Sequence, residues 1–121
     1  MACLLVQSPD KNGEIIDVES FSDQIHEKNG LLIQHTYPTS LGLLKPPGSL
    51  NVDIATAEGQ SLGVPLSFGG PYIGLLTCKN EYIRQLPGRI IGQTVDKNGK
   101  ISFALTLQTR EQHIRRESAT S

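Results

Sequence analysis

The run Ser67-Phe68-Gly69-Gly70-Pro71 sets a hydroxyl beside two glycine amides. Backbone N–H groups unshielded by side chains, together with a serine oxygen, suit an anion such as a phosphate. The same composition serves a loop that packs closely against another surface, and the residues alone leave both readings open. As a generic phosphate loop the pattern is weak. No Gly-Lys-Ser/Thr and no Gly-x-Gly-x-x-Gly follows a strand and opens a helix. A second concentration of chemistry is Thr109-Arg110-Glu111-Gln112-His113-Ile114-Arg115-Arg116-Glu117. Arginines can clamp a carboxylate or phosphate bidentately. Glu111 and Arg115 at i,i+4 are equally the mark of a solvated helix face, and the residues alone favour that reading. His35 follows an apolar strand and is expected to be an ordinary hydrogen-bonded histidine, His26 a surface residue of a helix. Cys78 has no histidine and orienting group at a spacing that would make it a nucleophile. No cluster of metal ligands exists. No catalytic residue is assigned.

The loop sits between two apolar runs, Val52-Asp53-Ile54-Ala55 and Ile73-Gly74-Leu75-Leu76-Thr77-Cys78. Strand, long glycine-rich loop and strand is the natural reading, the second strand antiparallel to the first. A loop of this length exceeds the two to five residues of ordinary hairpins, and long loops in compact chains are usually functional. Upstream, Ala2-Cys3-Leu4-Leu5-Val6 and Leu31-Leu32-Ile33-Gln34-His35 read as strands buried on both faces. Between them, Ser8 to Gly13 is a turn cluster and Asp17 to Asn29 a helix. Asp17 is the expected N-cap, with Val18, Phe21 and Ile25 on one face and Asn29-Gly30 as the stop. Strand, helix and strand in about thirty residues make a βαβ unit with parallel strands. A short helical turn over Thr39 to Leu44 ends before Lys45-Pro46-Pro47-Gly48. Lys79 to Leu86 reads as a short helix stopped by Pro87-Gly88. Gly88 to Val95 and Lys100 to Leu107 flank Asp96-Lys97-Asn98-Gly99, a strong hairpin signal. Gln108 to Glu117 reads as polar helix. Periodicity alone supports an α/β open sheet.

With 121 residues the chain is at most one ordinary domain. Hydrophobic residues at 37% and charged residues at 19% describe a globular chain. A formal net charge of −1 gives no electrostatic reason to expect nucleic acid or an anionic membrane surface. No apolar run is long enough to span a membrane, and the first residues lack the features of a signal peptide. Cys3 and Cys78 lie in apolar runs and are expected to be buried free thiols in a reducing compartment, the cytoplasm.

The run Glu58-Gly59-Gln60-Ser61-Leu62-Gly63-Val64-Pro65-Leu66-Ser67-Phe68-Gly69-Gly70-Pro71 closely resembles the glycine cleavage system P-protein family, the pyridoxal-phosphate-dependent glycine decarboxylases. More narrowly it resembles subunit 1 of the split, two-subunit form. Leu41-Gly42-Leu43-Leu44-Lys45-Pro46-Pro47-Gly48, Pro87-Gly88-Arg89-Ile90-Ile91-Gly92 and Gln108 to Glu117 agree, in order, over nearly the whole chain. Such subunits are several times longer, so the resemblance implies a fragment. It implies a fold as well, with residues 1–121 being part of the large domain of a fold-type-I pyridoxal-phosphate transferase. The sheet of that fold is mostly parallel with one reversed strand.

Enzymes of this fold hold the cofactor on a lysine and usually set an acid on its pyridinium nitrogen. By the resemblance, the lysine would follow the strand at Val52–Thr56, where this chain has Gln60-Ser61; neither forms an imine. The acid would follow Leu31–Gln34, where relatives carry Asp-Pro and this chain has Tyr37-Pro38. The resemblance therefore implies a catalytically silent half, with pyridoxal phosphate bound on the lysine-bearing subunit 2 and none held covalently here. Ser67, Gly69 and Gly70 are the expected contribution to the cofactor pocket across the subunit interface. The assembly would decarboxylate glycine and pass the aminomethyl group to the lipoyl arm of H-protein. The competing expectations are a stand-alone small α/β module that binds an anion at the glycine loop, and a non-functional truncated remnant.

Overall fold

The computed structural model describes residues 2–108. The chain divides into two compact units, Met1–Lys79 and Asn80–Ser121. In the first, a four-stranded sheet has the order β1-β2-β3-β4, built from β1 (Cys3–Gln7), β2 (Leu31–Thr36), β3 (Ile54–Glu58) and β4 (Gly74–Cys78). β1 pairs parallel to β2 and β2 parallel to β3, while β4 runs antiparallel to β3. The mostly parallel sheet with one reversed strand is the arrangement the sequence implies.

The link from β1 to β2 carries the one α-helix among the described residues, α1 (Glu19–His26). It is shorter than the Asp17–Asn29 span read from periodicity, and its N-cap position is Val18 rather than the expected Asp17. Asp17 Oδ1 accepts the Ser20 N–H at 3.3 Å, supplying the first turn with a partner. At the other end Asn29 takes a left-handed φ of 54°, and the Gly30 N–H returns to the Ile25 carbonyl at 2.9 Å. A Cβ on Gly30 would lie 2.9 Å from Ile25 Cγ2 and 3.2 Å from the Ala2 carbonyl oxygen. Glycine stands there because helix end and strand start meet too closely for a side chain.

α1 covers one face of the sheet. Val18, Leu32 and Val52 form the buried centre, with Leu4, Val6, Phe21, Ile25 and Leu50 packed around them. Period-two alternation puts Leu32, Gln34 and Thr36 on this face of β2, and all three are buried. On the opposite face Leu5 is 64% exposed. β1 is therefore an edge strand with its outer face open, not the strand buried on both faces that its apolar run suggests. Cys3 is accordingly an exposed free thiol rather than a buried one, while Cys78 is half-buried.

Between β2 and β3 the prolines dictate short 3-10 turns, Pro38–Gly42 and Pro47–Leu50, each opening on a proline whose missing N–H costs nothing there. In the second unit, Asn80–Gln85 is a 3-10 turn rather than an α-helix, and β5 (Arg89–Val95) pairs antiparallel with β6 (Ile101–Gln108). The expected hairpin is present. The helical reading of the arginine-rich Thr109–Glu117 lies outside the described residues.

Candidate functional site

β3 delivers the glycine-rich loop at its carboxyl end, the edge where open α/β sheets place their ligands. Glu58, the last residue of β3, clamps the base of the loop. Its Oε1 accepts the Gln60 N–H at 2.9 Å and the Ile73 N–H at 3.0 Å. Alongside, the Gly59 N–H donates to the Ile73 carbonyl at 2.7 Å. Entry and exit are thus tied to one carboxylate, so the residues between them leave the sheet from a fixed root. Gln60–Leu62 forms a 3-10 turn directly after it. Gln60 and Ser61 are the first residues of that turn.

At the tip, Ser67, Phe68 and Gly69 take successive left-handed φ values of 38°, 57° and 106°. Two of the three are not glycine, and each such residue costs about 1–2 kcal/mol, so the conformation is imposed by the loop closing on itself. The Gly69 and Gly70 N–H groups both donate to the Leu66 carbonyl, at 2.9 and 3.2 Å. Those amides are therefore engaged inside the loop. What the tip presents outward is the exposed Ser67 and the wholly exposed ring of Phe68. No atom lies within 4 Å of a Cβ built on Gly69 or Gly70, so this side of the tip is open to an approaching group.

The other sequence candidates fall elsewhere. Tyr37 follows β2 in extended conformation and is exposed, with no acid in its place. Lys45 pairs with Glu19 at 3.1 Å and Lys79 with Asp53 at 2.7 Å, so both are committed to partners of this chain. His35 Nδ1 lies 3.0 Å from Thr56 Oγ1 across the β2–β3 pair, the ordinary hydrogen-bonded histidine expected of it. Burial pushes the Cys78 thiol up from 9.0, away from the thiolate a nucleophile needs.

At the opposite end of the strands lies a polar cluster that sequence reading missed. Asp53, 2% exposed, takes the His26 ring Nε2 at 2.7 Å, the Lys79 ammonium at 2.7 Å and the Leu32 N–H at 2.8 Å. Burial on its own would raise its pKa. The Lys79 ammonium, the Leu32 N–H and His26 outweigh that and hold the carboxyl below its ordinary 3.8. Asn51, left-handed at φ 57°, adds its side chain, with Oδ1 accepting from Lys79 at 2.6 Å and Nδ2 donating to Ser22 Oγ at 3.0 Å. His26 is therefore not the free surface residue its helix position suggests. Ser22, His26 and Asp53 follow the order of a serine–histidine–carboxylate relay, with Ser22 Oγ 3.3 Å from His26 Nδ1. Ser22 is 2% exposed, however, and no carbonyl substrate can reach it. The cluster is a clasp joining α1, β2, β3 and the end of β4. Its one signal in the sequence is a carboxylate inside the apolar run Val52-Asp53-Ile54, which burial tolerates only with partners.

An open sheet of three parallel strands and one reversed strand, with a long loop thrown from the carboxyl end of β3, belongs to the class of fold-type-I transferase large domains. Within that class, the profile of the glycine cleavage system P-protein matches residues 1–121, and the chain belongs to that family. It is 54% identical over 120 residues to the probable glycine dehydrogenase (decarboxylating) subunit 1 of Thermomicrobium roseum, covering 99% of this chain and 27% of the relative. Against the corresponding Dictyoglomus turgidum protein the identity is 55% over 119 residues, covering 98% of this chain and 26% of the relative. Among solved structures, a glycine decarboxylase (P-protein) of the glycine cleavage system in inhibitor-bound form superposes with a TM-score of 0.89 at 47% identity. That match takes in 99% of this chain and 28% of the other. The chain thus spans about a quarter of the length of the relatives it matches.

Proposed function

We propose that this chain is part of the non-lysine subunit of a glycine decarboxylase and forms one wall of a cofactor pocket completed by a lysine-bearing partner, subunit 2. The assembled enzyme would decarboxylate glycine and hand the aminomethyl group to the lipoyl arm of H-protein. Pyridoxal phosphate supplies the electron sink that makes the decarboxylation possible. The residues described here do not fit a covalent hold on that cofactor. Gln60 and Ser61 follow β3, Tyr37 follows β2, and Lys45 and Lys79 are paired elsewhere. No step of the chemistry is therefore assigned to this chain. The cytoplasm is the compartment we propose, a reading favoured by two free thiols.

The observation that carries the reading is the loop. Glu58 roots it at the carboxyl edge of the sheet, and its tip offers Ser67 beside Gly69 and Gly70, where no side chain obstructs a neighbour. Because both glycine amides already serve the Leu66 carbonyl, the direct donor is the Ser67 hydroxyl, and the glycines supply shape and access. In a complete subunit carrying these residues and paired with subunit 2, Ser67→Ala should weaken cofactor retention and leave assembly intact. One hydrogen bond to a charged group is worth about 1.5–3 kcal/mol, or roughly ten- to hundredfold in affinity. Cofactor titration beside sedimentation of the mixed subunits reads both quantities, and unchanged affinity would reduce the loop to packing.

A further inference from the structure

From Gly59 to Ile73 fifteen consecutive residues carry no Asp, Glu, Lys or Arg, in a chain where such residues make up 19%. The loop they form is nonetheless on the surface. Leu62, Leu66, Phe68, Tyr72 and Ile73 are all exposed, and the Phe68 ring, at 112% of its reference area, stands clear of its surroundings. Single exposed apolar side chains are ordinary, whereas several gathered on one loop mark a surface made for contact. Missing charge together with aromatic side chains is the composition found at the centre of protein–protein interfaces.

The backbone singles out Phe68 within this group. Ser67 and Phe68 hold left-handed φ values of 38° and 57°, a conformation glycine adopts without cost. An aromatic residue there is strained, and its ring buries nothing among the described residues. Neither turn geometry nor packing within the chain accounts for it. Strain of this kind persists where a contact made by the same residue offsets it. Glu58 fixes both ends of the loop to the sheet, and no atom lies within 4 Å of a Cβ built on Gly63, Gly69 or Gly70. Another surface can therefore reach the tip without displacing anything. The relatives this chain matches are numbered as subunit 1, which implies a further subunit to provide that surface.

We propose that Phe68 is the apolar anchor by which this loop docks on the lysine-bearing subunit 2, its ring seated in an apolar socket of that subunit with Leu66 and Tyr72 around it. The anchor rests on the reading of the loop as one wall of a shared pocket, and gives Phe68 a role separate from that of Ser67. The test uses a complete subunit 1 carrying these residues, with the photoreactive p-benzoylphenylalanine in place of Phe68, assembled with subunit 2. Irradiation should join the two subunits through position 68. An adduct within subunit 1, an adduct between two copies of it, or no adduct would overturn the proposal. Phe68→Ala keeps the left-handed strain and removes only the ring. It should weaken association of the subunits by roughly thirtyfold, the loss expected of a buried aromatic anchor, read by sedimentation at graded dilution. Phe68→Leu, which keeps an apolar side chain, should lose less, and unchanged association in Phe68→Ala would equally overturn the anchor. The two readings fail separately. Ser67→Ala without effect on cofactor retention removes the pocket wall and leaves the adduct with subunit 2, whereas an adduct confined to subunit 1 removes the anchor while Ser67→Ala still weakens retention.

Discussion

Asp53 shows how much one buried carboxylate can hold. Its two oxygens meet a ring nitrogen from α1, a backbone amide from β2 and an ammonium from just beyond β4. Removing one partner of a buried charged set leaves the others desolvated and unpaired, so Asp53→Ala should destabilise the first unit by about 3 kcal/mol. The clasp is also acid-sensitive. A carboxyl whose folded pKa lies below its unfolded value contributes fully above the unfolded value, near 3.8 here. The contribution disappears as pH falls through the lower folded value. Urea midpoints measured from pH 7 downward should thus fall below pH 4. In Asp53→Asn that part of the acid limb should be missing, and an unchanged limb would refute the assignment.

Among elements, the loop that follows β3 depends on a residue outside its glycines. Glu58 takes one N–H from each end, beside the Gly59 N–H that the Ile73 carbonyl accepts at 2.7 Å. Glu58→Ala would leave those two N–H groups to water and loosen the root of the loop, while the Gly59–Ile73 bond and the β3–β4 ladder remain. Faster amide exchange confined to residues 59–73, with the sheet amides unchanged, is the expected result; slowed or unaltered exchange there would show that the tip holds itself. The turns give the opposite lesson. Asp-Lys-Asn-Gly occurs at residues 10–13 and again at 96–99, once in each unit. In both, the aspartate Oδ1 accepts N–H groups two and four residues on, and the glycine N–H returns to the aspartate carbonyl at 3.0 Å. Four residues carry their own fold because every partner lies within reach of the first.

On the scale of the whole molecule, the proposed function makes this chain a wall without a reaction of its own. Purified by itself, it should show neither glycine decarboxylation nor exchange of the glycine carboxyl with bicarbonate, whether or not pyridoxal phosphate is added. Exchange that borohydride abolishes would indicate an imine on this chain and would contradict the assignment. Its relatives are nearly four times as long, and this chain covers 27% of one of them. What is visible here is the root of one loop and the sheet that carries it.

Much of that was legible in the residues themselves. Alternating and continuous apolar runs marked every strand to within two residues. Asn-Gly marked both tight turns, and Asn29-Gly30 marked the end of α1. The ordered motifs from Leu41 to Gly92 identified the family. Each of these rests on contacts between near neighbours, or on a pattern that needs no partner to be recognised. The tertiary structure alone decided the rest. It placed β1 at an edge, because a strand's exposure depends on which elements lie beside and above it rather than on its own apolar run. It turned the amides of Gly69 and Gly70 toward Leu66, because composition gives glycine its freedom but not its direction. And it brought His26 and Lys79 onto Asp53 across separations of 27 and 26 residues, where no local spacing could announce them.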